Sequence, residues 1–515
     1  MIISLSVLVI TIIVSGTYAL YKAQLSKNIG VNTTTHGLAY YINYVKGTDI
    51  TAATLNPSTS YEGGASSDIE FWKKDDSYDI YGKIELTVNT IGTNLSNSPA
   101  LKYVVVNNGN VLKEGSLKGT TSGSKVTILK NLYLEQTKQI YTVYVWLDNS
   151  EELGNISNES LSISVDCTAS LQKEPTAADT IISLYTSAAK VTATNNSITY
   201  NTAPSVSLMN DRLGGTTTDL DGGNIRYYGA NPNNYIYFNC SDYSNQTSST
   251  CETWRIIGVF NGKLKLIRGS QIGTYSWDNK NTSTGEESNS GKNDWTTARL
   301  MKLLNPVDYY INDNNDKDSE GNYLGYSLYY NSTSGKCYSG QNNATVDCDF
   351  TSTGIKNDET RNMIAETTYN LGGWNTFTVY PNEIYEYERG TTVYTGRLPT
   401  WTGKIALAYP SDYGYAADLN QCVNKQLNKY NDSTCTSNNW MKSIITNNGS
   451  NHGWLLTPHS NYSYIAWGVI LSGIMGGNRA YYSSYGAAPV LYLSSELGIE
   501  SGGDGSSSNP YKLSA

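Results

Sequence analysis

The chain has 515 residues, enough for two or three domains with a sizeable core in each. Only 16% of the residues are charged, the net charge is -9, and there is no long basic run, which argues against a nucleic-acid partner. Tyrosine occurs 43 times and tryptophan 10 times against 5 phenylalanines. That bias favours large rigid side chains with a polar tip, as found both on recognition surfaces and in Tyr-, Ser- and Thr-rich β-proteins with no specific ligand.

The first segment, MIISLSVLVITIIVSGTYALYKAQ, has no charge before Lys22. Its apolar run of about 15 residues is short for a membrane span and fits the core of a signal peptide. Thr17-Tyr18-Ala19 is an acceptable cleavage site. No positive residue precedes the run, so residues 1–19 are either a signal peptide or a retained N-terminal anchor in the membrane. Both readings export the rest, and the expected location is extracellular or at the cell surface. Residues 20–33 read as a polar stalk.

Residues 34–168 carry a β pattern. KIELTVN alternates Ile84, Leu86 and Val88 with polar neighbours, and KYVVV, KVTIL, IYTVYVWLD and LSISV follow, split by NNGN and TSGS turns. Short strands at this spacing predict an all-β antiparallel sandwich. Residues 169–200 read as a linker with a short helix starting after Pro175. Residues 201–497 mix strands (NYIYFN, TWRIIGVF, KLKLI, GKIALAYP, GWLLTP, APVLYL) with three predicted helices and long loops, an α+β pattern. NDWTTARLMKLLNP predicts one helix, capped by Asn293 or Asp294, with Trp295, Ala298, Met301 and Leu304 on one face and Pro306 as its stop. NDETRNMIAETTYNLGG predicts a second, ended by its Gly pair, and SNNWMKSII a third. Residues 498–515 form a Gly- and Ser-rich tail in which NPYKLS reads as a short edge strand.

Six of the seven cysteines fall into local pairs, Cys240 with Cys251, Cys337 with Cys348, and Cys422 with Cys435. Each pair encloses a polar loop with no metal-like CxxC spacing, so three loop-closing disulfides are expected, in keeping with an oxidising compartment. Cys167 is left over, either as a buried thiol or as an intermolecular link.

The stretch HSNYSYIAWGVILSGIMGGNRAYYSSYGAAPVLYL, residues 459–493, lays a Tyr-, Ser-, Asn- and Gly-rich segment against a core-like strand. Trp467, Val469 and Gly473 read as structural. Asn461, Tyr462, Tyr464, Ile470, Ile474, Asn478, Arg479, Tyr481, Tyr482 and Tyr485 read as positions on an exposed ligand-binding face. The alternative is an ordinary loop and edge strand, with Ile470, Ile474 and Met475 in the core.

Two resemblances bear on this pattern. SGTYALYKA and YTVYVWLDNSEE are similar to segments of the camelysin and TasA group of exported bacterial fibre and matrix proteins. The peptidase label of camelysin does not transfer, because His36, His452 and His459 lie in no HExxH motif. The segments NNYIYFNCSDY, CETWRIIGVF, SWDNKN, GKNDWTTARLMKLLNP, YERGTTVY, PSDYGYA and SYGAAPVLYL resemble uncharacterised gut-Firmicutes surface proteins. Their domain is related to the formylglycine-generating type of C-type lectin fold. This resemblance implies a C-type lectin-like domain over 201–497, with PVLYL in the core and the segment before it exposed. In retroelement-diversified proteins of that fold the variable stretch lies at this place.

Several chemistries are disfavoured. Formylglycine-generating oxidases use a copper-binding Cys pair late in the domain, and no Cys follows Cys435. There is no G-x-S-x-G elbow. NDNNDKDSEGNY at 312–323 sets Asp316, Asp318, Glu320 and Gly321 at EF-hand-like offsets, but Ser327 stands where the bidentate Glu belongs. A solvated acidic loop is therefore expected there rather than calcium, and no metal or cofactor is expected. LPTWTG at 398–403 lies inside a domain and does not fit a sorting signal. The expected function is a non-enzymatic surface adhesin that binds a protein or glycan ligand on another cell or surface. The alternative is a structural subunit of a fibre or biofilm matrix.

Overall fold

The structure is a computed structural model that describes residues 23–25, 41–51, 55–151, 153–156, 159–196, 198–213, 223–278, 291–309, 325–337 and 346–514. The chain divides into two compact units, Met1–Glu174 and Pro175–Ala515.

The first unit is a β-sandwich. One sheet runs Ala23–Leu25, Leu161–Ser170, Tyr81–Ile91, Lys125–Tyr133, with Ile50–Thr51 also paired to Leu161–Ser170. The other runs Ile42–Val45, Ala65–Lys73, Ile140–Asp148, Leu101–Asn107, Asn110–Ser116, with Pro57–Ser58 added parallel to Ile140–Asp148. The period-two pattern drives the packing, because successive side chains point to opposite faces. Ile84, Leu86 and Val88 of one sheet and Ile69, Phe71, Val143 and Val145 of the other are fully buried in a shared core. The strand Ala65–Lys73 is masked in the sequence by Ser67 and Asp68, yet alternate residues along it are buried. Ala23–Leu25 pairs with Cys167–Ala169, so this piece of the expected stalk is a strand. Cys167 is free and fully buried, and burial pushes its thiol well above the ordinary value. That is the inert buried thiol of the two alternatives.

The second unit starts at Pro175, not at residue 201. The helix expected in a linker, Ala177–Ser187, is an integral part of it. A capping box starts the helix: Thr176 Oγ1 accepts from Asp179 N, and the Asp179 carboxylate accepts from Thr176 N. Ile181 and Tyr185 are fully buried in the core of this unit. The main sheet runs Val191–Asn195, Ile198–Ala203, Leu208–Asn210, Ile225–Tyr227, Glu252–Phe260, Lys263–Arg268, Val490–Tyr492, Ile405–Ala406, with Tyr235–Phe238 also on Glu252–Phe260. PVLYL is thus an interior strand, in register with Lys265–Ile267 on one side and Ile405–Ala406 on the other.

Two of the predicted helices are shorter than their patterns. Asp294, not Asn293, caps a 3₁₀ turn at Trp295–Thr297; the backbone then extends at Ala298, and the α-helix covers only Arg299–Leu304. The break lets Trp295 fill the space between Trp277 and Trp401, at centroid distances of 5.1 and 6.2 Å. The second helix stops at Met363, and the β-branched Thr367 and Thr368 enter a strand paired with Thr400–Gly403. The Gly pair ends no helix. A Cβ on Gly373 would sit 2.3 Å from the Pro458 carbonyl, so glycine is needed for close packing. The third helix, Trp440–Ile445, is capped by Asn439. The tail is structured: Gly498–Ile499 pairs with Leu513–Ser514, and the Tyr511 backbone bonds to Tyr235 and Tyr237.

The three disulfides are Cys240–Cys251, Cys337–Cys348 and Cys422–Cys435. Among the described residues no helix is long and apolar enough to cross a membrane.

A cluster of charges lies inside the second core. The Asp412 carboxylate accepts from Arg226 Nη1 at 3.0 Å and pairs with Lys265 Nζ. Arg226 Nε donates to Asp211 at 2.5 Å. Glu388 accepts from the backbone and hydroxyl of Ser411, and from Arg389. Burial alone would raise the Asp412 carboxyl, but Lys265 and Arg226 beside it bring it below the usual range. Burial pushes the Lys265 ammonium down to about 8 and the Glu388 carboxyl up to about 7. Alternating or helical patterns give no hint of this cluster, because its charges come from five separate segments.

Candidate ligand-binding face

Residues 459–493 supply three strands of a four-stranded sheet in the order Met475–Arg479, Ile465–Val469, His452–Pro458, Tyr485–Gly486, the strand His452–Pro458 preceding them in the chain. The first two strands form a hairpin whose turn is closed by Ile470 N to Ile474 O and Gly473 N to Ile470 O. Gly473 has φ 92°, a conformation that strains any residue with a Cβ. Trp467 and Val469 are fully buried, and Phe377 packs edge-on against Trp467 at 4.7 Å.

The open end of the hairpin holds the aromatic residues. Tyr462 is 48% exposed, and its ring lies 4.9 Å from His459 and 5.7 Å from Tyr464. The exposed Arg479 places its guanidinium 5.9 Å from the Tyr464 ring. Tyr481 and Tyr482 stack at 4.7 Å. Asn461 is exposed at the loop tip.

A polar scaffold holds this end in place. Asn293, 1% exposed, donates through Nδ2 to the carbonyls of His459, Tyr462 and Ile465, and its own N–H bonds Ser463 O. Ser276 Oγ donates to Tyr481 O at 2.6 Å, and Asp278 N donates to Ala480 O at 3.1 Å. Buried donors with several fixed acceptors make a loop stiff, because each lost bond strands a buried group. His459 is 3% exposed and accepts from Asn461 N at Nδ1. Burial lowers its pKa against a hydrogen bond to the Asn375 backbone, so the imidazole is neutral at neutral pH.

The ten face positions do not form one patch. Asn461, Tyr462, Tyr464, Arg479, Tyr481 and Tyr482 cluster at the open end, and all are at least partly exposed. Ile470 and Ile474, half-buried, sit at the opposite end of the hairpin. At roughly 3.4 Å per strand residue that is over about 10 Å away. Asn478 lies within the sheet and reaches the Tyr485 hydroxyl at 3.4 Å. Tyr485 is not a face residue: it is 3% exposed and stacks on Trp454 at 4.1 Å and His452 at 4.9 Å. The reason is the short parallel pairing of Tyr485–Gly486 with His452–Gly453, which turns the ring under the sheet.

Sequence reasoning missed the neighbours of this face. Trp374 is half-buried and stacks on Tyr387 at 3.7 Å, with a 3° interplanar angle. Its backbone bridges His459 and accepts from Ser460 N, so this pair lies alongside the Tyr462 loop. Trp374 and Tyr387 are far from 459–486 in sequence, and only the fold brings them there.

Among the described residues no group of His, Cys, Asp or Glu is placed to hold a metal ion. The acidic loop 312–323 lies outside the described residues; Ser327, its twelfth position, is buried and donates through Oγ to Asn305 O.

No family model matches the chain, and no curated protein matches it. Among solved structures, one match is the "Crystal structure of HCR/D F1240A mutant", at 13% identity over 50% of this chain and 76% of that one. Its TM-score of 0.15 is too low to support any statement about fold or function.

Proposed function

We propose that the chain is an exported, non-catalytic surface protein that binds a protein or glycan ligand. In this reading the second unit is a C-type lectin-like domain, and the ligand meets the aromatic end of the 465–479 hairpin. One observation carries the proposal: Tyr462, Tyr464, Arg479, Tyr481 and Tyr482 are at least partly exposed at one end of the hairpin, where the buried Asn293 amide fixes the 459–465 side and Ser276 the Tyr481 side. Rigid aromatic anchors lose little entropy on binding, and Arg adds directional donors, which is the composition of binding hot spots. The test is a glycan array and a pull-down from surface extracts with the exported chain and a Tyr462→Ser/Tyr482→Ser variant. The variant is expected to lose most of the binding and keep its melting temperature. Undiminished binding would refute the assignment of this face.

The fibre-subunit reading has one observation in its favour. Asn110–Ser116 is the last strand of its sheet, and Val111 and Leu112 on it are 48% and 42% exposed. An open apolar edge of this kind is a template for pairing with another chain. Filament formation by the purified chain, abolished by Val111→Lys, would favour that reading.

A further inference from the structure

We propose that Lys265 and Asp412 condense after folding into an intramolecular isopeptide bond that ties the strand Lys263–Arg268 to the helix Pro410–Tyr415. The two side chains touch, are 0% and 1% exposed, and lie 147 residues apart in sequence. The amine is enclosed by rings, with Tyr409, Phe260 and Tyr492 at 4.4, 5.2 and 5.4 Å from Nζ. An ion pair kept so dry carries a desolvation penalty that its mutual attraction often does not repay. An amide carries no such charge. Removing both charges leaves Arg226 paired with Asp211, and Arg389 in contact with Glu388.

The surroundings also suit the reaction. Asp412 Oδ1 is held by Arg226 Nη1 at 3.0 Å, and Oδ2 accepts from Tyr409 N at 2.9 Å. The ammonium first gives a proton to Oδ2, which leaves a neutral amine and a carboxylic acid. Nζ then attacks Cγ, and the negative charge grows on Oδ1 under the Arg226 guanidinium. The Cγ–Oδ2 bond breaks, the second Nζ proton goes to the departing hydroxyl, and one water leaves. No oxidant or co-reactant is needed. Holding the reactants in contact supplies the high effective concentration that the step requires. The depression of Lys265 to about 8 by burial means that a neutral amine is accessible near neutral pH.

Mass spectrometry of the purified full chain, reduced and denatured, tests this directly. The expected result is a mass one water below that of the processed sequence, and a branched peptide joining the Lys265 and Asp412 segments after digestion. Lys265→Arg should restore the full mass and remove the branched peptide. The wild-type measurement decides even if that variant fails to fold. Linear peptides containing Lys265 and Asp412, recovered from folded protein kept in buffer for a day, would overturn the proposal.

Discussion

Replacing Tyr485 by Ala separates the packed side of the hairpin sheet from its presented end. The ring is 3% exposed, stacks on Trp454 and His452, and lies against Gly468. A buried aromatic side chain removes about 150–250 Å² from water, which at about 25 cal/mol per Å² is an upper bound of roughly 4–6 kcal/mol. Measured aromatic-to-Ala losses of about 3–5 kcal/mol bring the expectation to about 3–4 kcal/mol. The hydroxyl adds little, because its contact with Asn478 is long at 3.4 Å. For a unit of this size each kcal/mol moves the melting temperature by about 2–4 °C, so a fall on the order of 8 °C is expected. Tyr482, 37% exposed, is the control. Tyr482→Ala should change stability by about 0.5 kcal/mol or less. Calorimetry on both variants is the assay. Equal melting temperatures for the two would show that Tyr485 is not packed as described, and the division of this stretch into core and face would fail.

Three other outcomes follow from the fold. Peptide mapping of the purified chain should find 240–251, 337–348 and 422–435 as its disulfides and Cys167 reduced; a bridge that crosses loops would contradict the pairing. Proteinase K, which has broad specificity, should under native conditions cut first near the exposed Lys173, at the boundary between the units, and spare the buried helix Ala177–Ser187; early cuts within the helix would contradict its place in the core. The third concerns pH. Burial raises Glu388 from 4.5 to about 7, so between these values the folded chain holds a proton that the unfolded chain has lost. The stability due to this group is complete below pH 4.5 and falls as pH rises toward 7, by about 3 kcal/mol at most. Melting curves of Glu388→Gln should decline less across that window than those of the parent, and identical slopes would contradict the assignment.

Much of the sandwich is written in its alternating residues, since burial of one face of each strand follows from a period of two. Ile84, Leu86 and Val88 announce their strand, whereas Ala65–Lys73 escapes notice because small and polar residues occupy part of its inner face. Helix lengths were less legible. The periodicity of 295–304 continues smoothly through Ala298, but the chain extends there to seat Trp295 between two other indoles, a tertiary demand that overrides local preference. At the face, composition pointed to Tyr462 and Tyr482 correctly as exposed but could not distinguish Tyr485, whose neighbours in sequence are just as polar. Nor could it reveal Trp374 or the Asn293 amide, because their roles depend on contacts across long sequence separations.

The place of Val490–Tyr492 has a consequence for biogenesis. This strand lies between Lys263–Arg268 and Ile405–Ala406, yet it is synthesised after both of them. Until it emerges, the edge at Lys265–Ile267 has no partner and the second core is open. Contacts so distant in sequence form slowly and only after chain closure. The second unit therefore cannot complete its main sheet until this strand has been synthesised. A truncation that reaches Val490–Tyr492 would remove an interior strand rather than an edge, and the second core could not close.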